Sequence, residues 1–343
     1  MQNKSTVLVT GASGFIGSNC VLALLKKGYS VRATVRSQLR IEQLQALIKA
    51  HYSDNPDIEY VTATLDSDEG WDAAVKGCES VLHLASPLPV KQPKDPNELI
   101  IPARDGALRV LAAATPEGVK RVVMTSSTAA VNGSRSTNKD YIYDEKDWTD
   151  LNDKTLTPYK QSKTIAEKAA WEFVNKDKSI ELTTICPSLV CGPALEAKVN
   201  SSLEVVKRLM DGSFPIIPPI GFGVVDVRDV ADLHVLAMEK PEAAGNRFIG
   251  SSDFMWMHEI AATLRNHFGE EALKVPTLKA PAWFLRLLAL RDPAINTIVP
   301  DLNQRRRVSN ETSKRLLGWT PRTTEEAVIS TAKSLLAYGL LYK

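Results

Sequence analysis

The chain has 343 residues, of which 44% are hydrophobic and 24% charged, a composition typical of globular proteins with one large domain or two smaller ones. Its formal net charge of +2 excludes a field strong enough to favour nucleic acid or an anionic membrane as the main partner. No apolar run reaches the roughly 18 residues that a membrane span requires, and no signal peptide is recognised, so we expect a cytoplasmic protein.

Short β-branched runs alternate with longer amphipathic segments over residues 1–190, from "TVLVT" through "SVRATVR" and "SVLHLA" to "RVVMTSS". This alternation predicts an α/β fold: a Rossmann-type, doubly wound parallel sheet with helices on both faces and ligands at the carboxyl ends of the strands. Two later runs, "LTTICPSLV" and "FGVVDV", are assigned to the same sheet.

The composition changes after residue 190, where "SFPIIPPIGFG" is dense in proline and glycine and mixed helices follow from about residue 256. We predict a Rossmann domain over residues 1–190, to which residues 224–250 return. A smaller, discontinuous C-terminal lobe takes residues 191–223 and 251–343. Its candidate pocket walls, for which a plain core position is the alternative, are Phe214, Ile217, Phe222 and Met255.

Three glycines, Gly11, Gly14 and Gly17, lie directly after the first predicted strand and at the start of the first helix, in "VLVTGASGFIGS". The first permits a tight turn, the second a close approach of the backbone to a pyrophosphate, and the third close packing of helix on sheet. The amides around Phe15 and Ile16 would face the anion. A turn without a ligand is the alternative. A P-loop is excluded because its terminal Gly-Lys-Ser/Thr is missing.

The segment that follows the glycines indicates which dinucleotide binds. Residues 18–41 contain no Asp or Glu to hold the ribose hydroxyls of NAD, but they contain Arg32, Arg36 and Arg40. Arg36 ends the second predicted strand and can offer a planar set of donors to a 2′-phosphate. We therefore predict NADPH rather than NADH. For Arg32 and Arg40, a position facing solvent is the alternative.

Hydroxyl groups and a tyrosine-lysine pair follow at a second ligand edge. The strand "KRVVMTSS" ends at Ser127, and the helical stretch "TPYKQSKTIAE" places Tyr159 and Lys163 four positions apart. Such a pair occurs by chance in many chains. Here it accompanies the hydroxyls at the carboxyl end of a predicted parallel strand.

Together with "VTGASGFIG", "VLHLASP", "VKRVVMTSSTAAVNG", "PSLVCGP", "VDVRDVADLH" and "KRLLGWTPR", these stretches make the chain resemble an extended short-chain dehydrogenase/reductase. The resemblance is greatest to the dihydroflavonol reductase-like branch, which includes cinnamoyl-CoA and methylglyoxal reductases. It implies an NADPH-dependent reductase of aldehydes or ketones, including flavanonol-like ketones. The local sequence "PYKQSK" differs from the "NWYCYGK" type of cinnamoyl-CoA reductases, which disfavours that substrate.

The resemblance also implies roles for single residues. Ser127, Tyr159 and Lys163 correspond to the catalytic set: the serine donates a hydrogen bond to the carbonyl oxygen, the tyrosine delivers the proton, and the lysine holds the nicotinamide ribose. Asn132 corresponds to a substrate-orienting asparagine, and an Asn-Gly turn is the alternative. Tyr159 and Lys163 are also expected to contact the cofactor. Further cofactor contacts are implied at Thr64, Leu65, Asp66, Leu84, Ala85, Ser86, Pro187, Ser188, Leu189, Val190 and Ser202, where Asp66 would replace an acid that the family carries earlier in the loop.

Other classes of protein fit the sequence less well. A nucleotide-sugar epimerase or dehydratase shares the fold and the tyrosine-lysine pair, but it usually carries an acid where Arg36 stands. A non-catalytic NADPH sensor would not need all three catalytic groups. No metal site is predicted, because "HEIAA" at 258–262 lacks the second histidine of a zinc helix and the four cysteines lack Cys-x-x-Cys spacing. We expect a small carbonyl substrate, no nucleic acid or membrane partner, and a monomer or homodimer.

Overall fold

The computed structural model describes residues 5–87, 93, 95–134, 138 and 140–341. Within them the strands are β1 (Thr6–Thr10), β2 (Ser30–Val35), β3 (Ile58–Thr62), β4 (Ser80–His83), β5 (Arg121–Thr125), β6 (Ile142–Tyr143), β7 (Glu181–Pro187), β8 (Leu189–Cys191), β9 (Gly221–Asp226), β10 (Arg247–Gly250), β11 (Asp253–Trp256) and β12 (Arg307–Val308). The α-helices are α1 (Phe15–Lys26), α2 (Gln38–His51), α3 (Trp71–Val75), α4 (Asn97–Ala114), α5 (Pro158–Lys176), α6 (Glu204–Met210), α7 (Val227–Glu239), α8 (Met257–Phe268), α9 (Ala282–Leu288), α10 (Pro293–Ile298), α11 (Glu311–Leu317) and α12 (Thr324–Ala337).

The central sheet has the order β10-β7-β5-β4-β1-β2-β3, and its strands are parallel. Successive residues of a strand point to opposite faces, so each strand packs against both helix layers. In β1, Val7 and Val9 pack with α1 and α7, whereas Leu8 packs with α3 and α4. This architecture confirms the predicted Rossmann-type, doubly wound sheet.

The assignment of "FGVVDV" to the central sheet is wrong. That segment is β9, which pairs parallel with β8 and antiparallel with β11 in a separate three-stranded sheet. The run "LTTICPSLV" is likewise divided between the two sheets, because β7 ends at Pro187 and the Ser188 amide donates to the Gly250 carbonyl (3.0 Å) before β8 begins. The edge of the central sheet beside β7 is β10, from "RFIG".

A second hydrophobic core lies under the three-stranded sheet and is formed mainly by α6, α8, α9 and α12, with buried members such as Ile260, Leu264 and Val328. The candidate pocket walls Ile217 and Met255 are buried in it, and Phe214 and Phe222 pack against it partly buried. Ile217 and Met255 are therefore core residues, which is the alternative to a role as pocket walls. The division of the chain into domains at residues 190, 224 and 250 stays a prediction.

Two further observations concern the polarity of the helices and the state of the cysteines. In the part of the chain that the structure describes, each helix is too short or too polar to cross a membrane. Cys20, Cys78, Cys186 and Cys191 are all free and buried. Burial raises the pKa of the Cys191 thiol to about 12, so this group is an uncharged, apolar core side chain.

Candidate active site at the carboxyl edge of the sheet

The turn between β1 and α1 can be built only from glycine at two positions. Gly11 has a φ of +63°, and a Cβ there would lie 2.9 Å from the backbone of Ala85. A Cβ at Gly17 would lie 2.2 Å from the Gly11 carbonyl oxygen. Gly14 is the N-cap residue of α1 and supplies no side-chain hydrogen bond to the first helical amides, at Phe15 and Ile16. These amides lack intrahelical acceptors, which makes them candidates to bind an anion at the end of the strand.

The end of β4 is fixed beside this turn. The Thr10 hydroxyl accepts hydrogen bonds from the amides of Leu84 (3.1 Å) and Ala85 (3.0 Å). It also bonds Nδ1 of His83 at 2.9 Å. Burial, helped by the nearby Lys163 cation, lowers the pKa of His83 to about 3, so the imidazole is neutral and structural. The segment from Leu84 to Ser86 is thus held, partly buried, next to the glycine turn.

The arginines after α1 differ in their surroundings. The guanidinium of Arg32 already has protein partners: its Nε donates to Glu59 (2.6 Å), and its Nη1 donates to the Lys76 carbonyl (2.5 Å). Arg40 lies on α2 and bonds Gln43 at 2.8 Å. Arg36 directly follows β2, is exposed, and forms no ion pair with the residues that the structure describes. Of the three, Arg36 is the guanidinium at the strand end that a 2′-phosphate could meet.

The loop after β3 carries three of the predicted cofactor contacts, Thr64, Leu65 and Asp66. Hydrogen bonding, first from the Thr64 side chain, lowers the pKa of the exposed Asp66 carboxyl. The Leu65 side chain packs so closely on Gly106 that a Cβ there would lie 2.6 Å from Leu65 Cδ2. The Leu65 carbonyl accepts from Nη1 of Arg109 (2.6 Å). Sequence analysis did not identify this bond, which fixes the loop from α4.

The Ser127 and Tyr159 side chains are hydrogen-bonded to each other. Ser127 follows β5, is 8% exposed, and accepts from the Ala129 amide at 3.1 Å. Tyr159 stands in the first turn of α5, which Thr157 caps by accepting from the Lys160 amide at 3.4 Å. Burial raises the pKa of the phenol, and the hydrogen bond with Ser127 opposes that rise. A strand end and a helix start thus place an alcohol against a phenol.

Lys163 lies one helical turn after Tyr159 and is 7% exposed. Its Nζ donates to the Thr125 carbonyl at 3.3 Å, at the end of the strand that precedes Ser127. Burial lowers the pKa of this ammonium to about 8, and the charge of Glu167 opposes that shift. The structure therefore brings the predicted serine, tyrosine and lysine together at one edge of the sheet.

A buried ionic network lies beneath these residues, and sequence analysis missed it. The carboxylate of Glu167 is fully buried and pairs with Arg247 on β10 at 2.8 Å. It also accepts from the hydroxyls of Ser126 (2.6 Å) and Thr184 (2.7 Å). The guanidinium of Arg247 stacks 3.7 Å from the ring of Trp148. One carboxylate therefore joins β5, β7 and β10 to the helix that carries Tyr159 and Lys163.

The remaining predicted contacts lie around this edge. Residues 187–190 run from the end of β7 into β8 and cross between the sheets. The Asn132 side-chain amide donates to the Arg306 carbonyl at 3.3 Å, so it links the loop after β5 to the C-terminal segment. Ser202 belongs to a turn in which its amide donates to Asn200 Oδ1 (2.9 Å).

A segment near Ser202 reaches the glycine turn instead. Lys198 and Asn200 line a cavity of about 100 Å³ together with Ser13, Gly14 and Phe15, and Ser202 is not among its lining residues. No motif marked Lys198, because a single lysine in a loop carries no periodic signal. Its position against the first turn of α1 makes it an additional candidate for contact with a bound phosphate.

The fold and this edge define a dinucleotide-binding protein of the Rossmann class. The chain belongs to the NAD dependent epimerase/dehydratase family, whose family model matches residues 7–249. It is 41% identical over 247 residues to cinnamoyl-CoA reductase CAD2 of Medicago truncatula, covering 70% of this chain and 74% of that protein. It is 34% identical over 276 residues to dihydroflavonol 4-reductase of Gerbera hybrida, covering 78% and 74%. The crystal structure of yeast methylglyoxal/isovaleraldehyde reductase Gre2 complexed with NADPH matches 98% of this chain and 99% of that chain, with a TM-score of 0.81 and 29% identity.

These similarities confirm the resemblance to extended short-chain dehydrogenase/reductases of the dihydroflavonol reductase-like branch. They leave the roles of single residues as predictions. The inference that "PYKQSK" disfavours cinnamoyl-CoA also stays a prediction, although a cinnamoyl-CoA reductase is among the similar proteins.

Proposed function

We propose that this protein reduces an aldehyde or ketone to an alcohol, with NADPH as the hydride donor and Ser127, Tyr159 and Lys163 as the catalytic residues. Reductases of carbonyl compounds are among the relatives that share most of its length, and the similar Gre2 structure holds NADPH. The observation that carries the assignment of residues is the hydrogen bond between Ser127 and Tyr159, one helical turn from the buried Lys163.

The residues present fit the cofactor. The glycine turn has no room for side chains at Gly11 and Gly17. Because the turn carries no side chains at these positions, a pyrophosphate can approach the first amides of α1. Arg36 is exposed at the end of β2, where positive charge favours a 2′-phosphate over a bare ribose. When bound, NADPH supplies the hydride. In this chain, residues 84–86 and 187–190 are the segments that would flank it.

The side chains of the protein stabilise the negative charge that develops on the carbonyl oxygen and protonate that oxygen. Ser127 donates a hydrogen bond to this oxygen, and Tyr159 transfers its phenolic proton to it. Burial alone makes the phenol a weaker acid, so a neighbouring cation is needed to bring its pKa towards neutrality. Lys163 supplies that cation, since a pKa of about 8 leaves most of the ammonium protonated at pH 7.

Two other functions, an epimerase or dehydratase and a non-catalytic NADPH sensor, can be distinguished from a reductase by the residues of this site. An epimerase or dehydratase has the same fold, and the family description includes both activities. Arg36 argues against both of them here. The sequence "TSST", which begins at the end of β5, argues against a dehydratase, because dehydratases tend to carry Asp-Glu after the threonine. A non-catalytic NADPH sensor has no use for a phenol held against an alcohol and a lysine. We further propose a cytoplasmic protein that acts as a monomer or homodimer on a small molecule, without nucleic acid or membrane partners.

The test is NADPH oxidation with a panel of aldehydes, diketones and dihydroflavonols, repeated with NADH. We expect turnover with NADPH and a loss of about 10²- to 10⁴-fold in kcat for Tyr159→Phe. The matched control is Tyr29→Phe, which removes a surface hydroxyl that donates to Glu239 (3.0 Å). Full activity of Tyr159→Phe would remove the proton-donor assignment. Tight NADPH binding without turnover on any carbonyl would favour the sensor.

A further inference from the structure

A cavity of about 150 Å³ lies where the two-stranded sheet of β6 and β12 meets the three-stranded sheet. Its apolar walls are Ile142, Val308 and Phe254. Gly223, Ser251, Asp253 and Arg307 supply the rest of the lining. A cavity of this volume is large enough to hold a molecule of about the size of benzene.

Two polar groups in the lining are buried without a protein partner among the described residues. One is the hydroxyl of Ser251, a residue that is 2% exposed. The other is Nε of Arg307. The Nη2 atom of the same side chain donates a long hydrogen bond to the Asp140 carbonyl, at 3.5 Å. Buried donors are usually hydrogen-bonded, and leaving one unpaired is costly. Both groups belong to residues that line the same cavity.

Gly223 lies against the Ser251 hydroxyl. A Cβ at Gly223 would lie 2.7 Å from Ser251 Oγ and 3.0 Å from Ser188 Cβ, so any side chain there would displace the hydroxyl. Ser188 belongs to the segment that we expect beside the nicotinamide. The cavity is therefore adjacent to the cofactor cleft but is lined by different residues.

The charges around the cavity favour an anion. The Arg307 guanidinium lines it, and that of Arg305 lies 5.8 Å from the centre of the Phe254 ring. Asp253 opposes them, but it is exposed and one of its oxygens already accepts from the Phe254 amide at 2.6 Å. Both buried groups that lack a partner can donate a hydrogen bond, and Ile142, Phe254 and Val308 form the apolar part of the lining. A ligand should thus combine an apolar body with a group rich in acceptors.

We propose that this cavity binds a small carboxylic acid, whose apolar body packs against Ile142, Phe254 and Val308 and whose carboxylate accepts hydrogen bonds from Ser251 and Arg307. The proposal goes beyond the reductase function. It concerns binding alone, so it can be tested whether or not the protein turns over a carbonyl compound.

The probe is benzoate, titrated into the full-length protein by calorimetry, with benzamide as the neutral ligand of the same shape. We expect benzoate to bind and benzamide to bind at least roughly tenfold more weakly, because a charged acceptor strengthens both hydrogen bonds. Ser251→Ala and Arg307→Met should each weaken benzoate binding by a similar factor. Asp253→Asn should tighten it, because it removes the opposing charge.

Arg286→Met is the matched control, since Arg286 is exposed on α9, and it should leave benzoate binding unchanged. Thermal unfolding of each variant shows whether it is folded. If Arg307→Met does not fold, Ser251→Ala carries the test, since it removes one atom. Absence of benzoate binding, or binding that neither substitution weakens, would overturn the proposal.

Discussion

The buried pair of Glu167 and Arg247 gives the sharpest test of how helix α5, which carries Tyr159 and Lys163, is held in place. Glu167 is 0% exposed, and its carboxylate joins Arg247 on β10, Ser126 after β5 and Thr184 on β7. Glu167→Gln keeps the shape of the side chain but removes its charge, and so leaves the Arg247 cation buried without its counter-charge. Breaking a buried ion pair from one side costs about 3–5 kcal/mol, and we expect a loss near the lower end because glutamine can still accept hydrogen bonds.

The assay is the free energy of unfolding from urea denaturation, with Glu172→Gln as the control. Glu172 lies on the same helix, 70% exposed, and pairs with Lys176 at 2.9 Å on the surface. Its loss should cost at most about 1 kcal/mol. Adding Arg247→Met to Glu167→Gln should recover part of the stability, because the unpaired cation is then removed as well. If Glu167→Gln destabilised the protein no more than Glu172→Gln, the network would not be holding the sheet edge together.

Two further predictions concern the cofactor and the proton. Arg36→Asp should shift the ratio of kcat/KM values from NADPH towards NADH, because a carboxylate repels the 2′-phosphate; unchanged selectivity would assign the phosphate to another group. The pKa of Lys163 is lowered to about 8, so its cation is present below that pH and lost above it. We expect kcat/KM for the carbonyl substrate to fall as the pH rises through about 8, since kcat/KM reports the free enzyme. Glu167→Gln should move that fall to lower pH, and a profile that is flat up to pH 10 would contradict the role of Lys163.

The parts of the fold that could be predicted from the sequence are those encoded over short distances. The spacing of Gly11, Gly14 and Gly17 indicates a turn because Gly14 and Gly17 both meet the Gly11 carbonyl a few residues away. Only the contact of Gly11 with the backbone of Ala85, after β4, joins distant segments. The spacing of Tyr159 and Lys163 indicates one helix face for the same reason. Their meeting with Ser127 followed from a general property of parallel sheets, in which the carboxyl ends of the strands share an edge.

The features that were missed depend on which distant segment a residue contacts. The run "FGVVDV" has the composition of a buried strand in either sheet, and only its pairing with Leu189–Cys191 and Asp253–Trp256 decides which one it joins. Glu167 and Arg247 are 80 positions apart, and nothing in the helix that carries Glu167 marks it as buried rather than as one more surface carboxylate. An ionic network of this kind is specified by topology: β10 must lie beside β7, at the edge of the sheet, before its arginine can reach the helix. The residues that hold α5 in place are therefore harder to find in a single sequence than the residues proposed to do the chemistry.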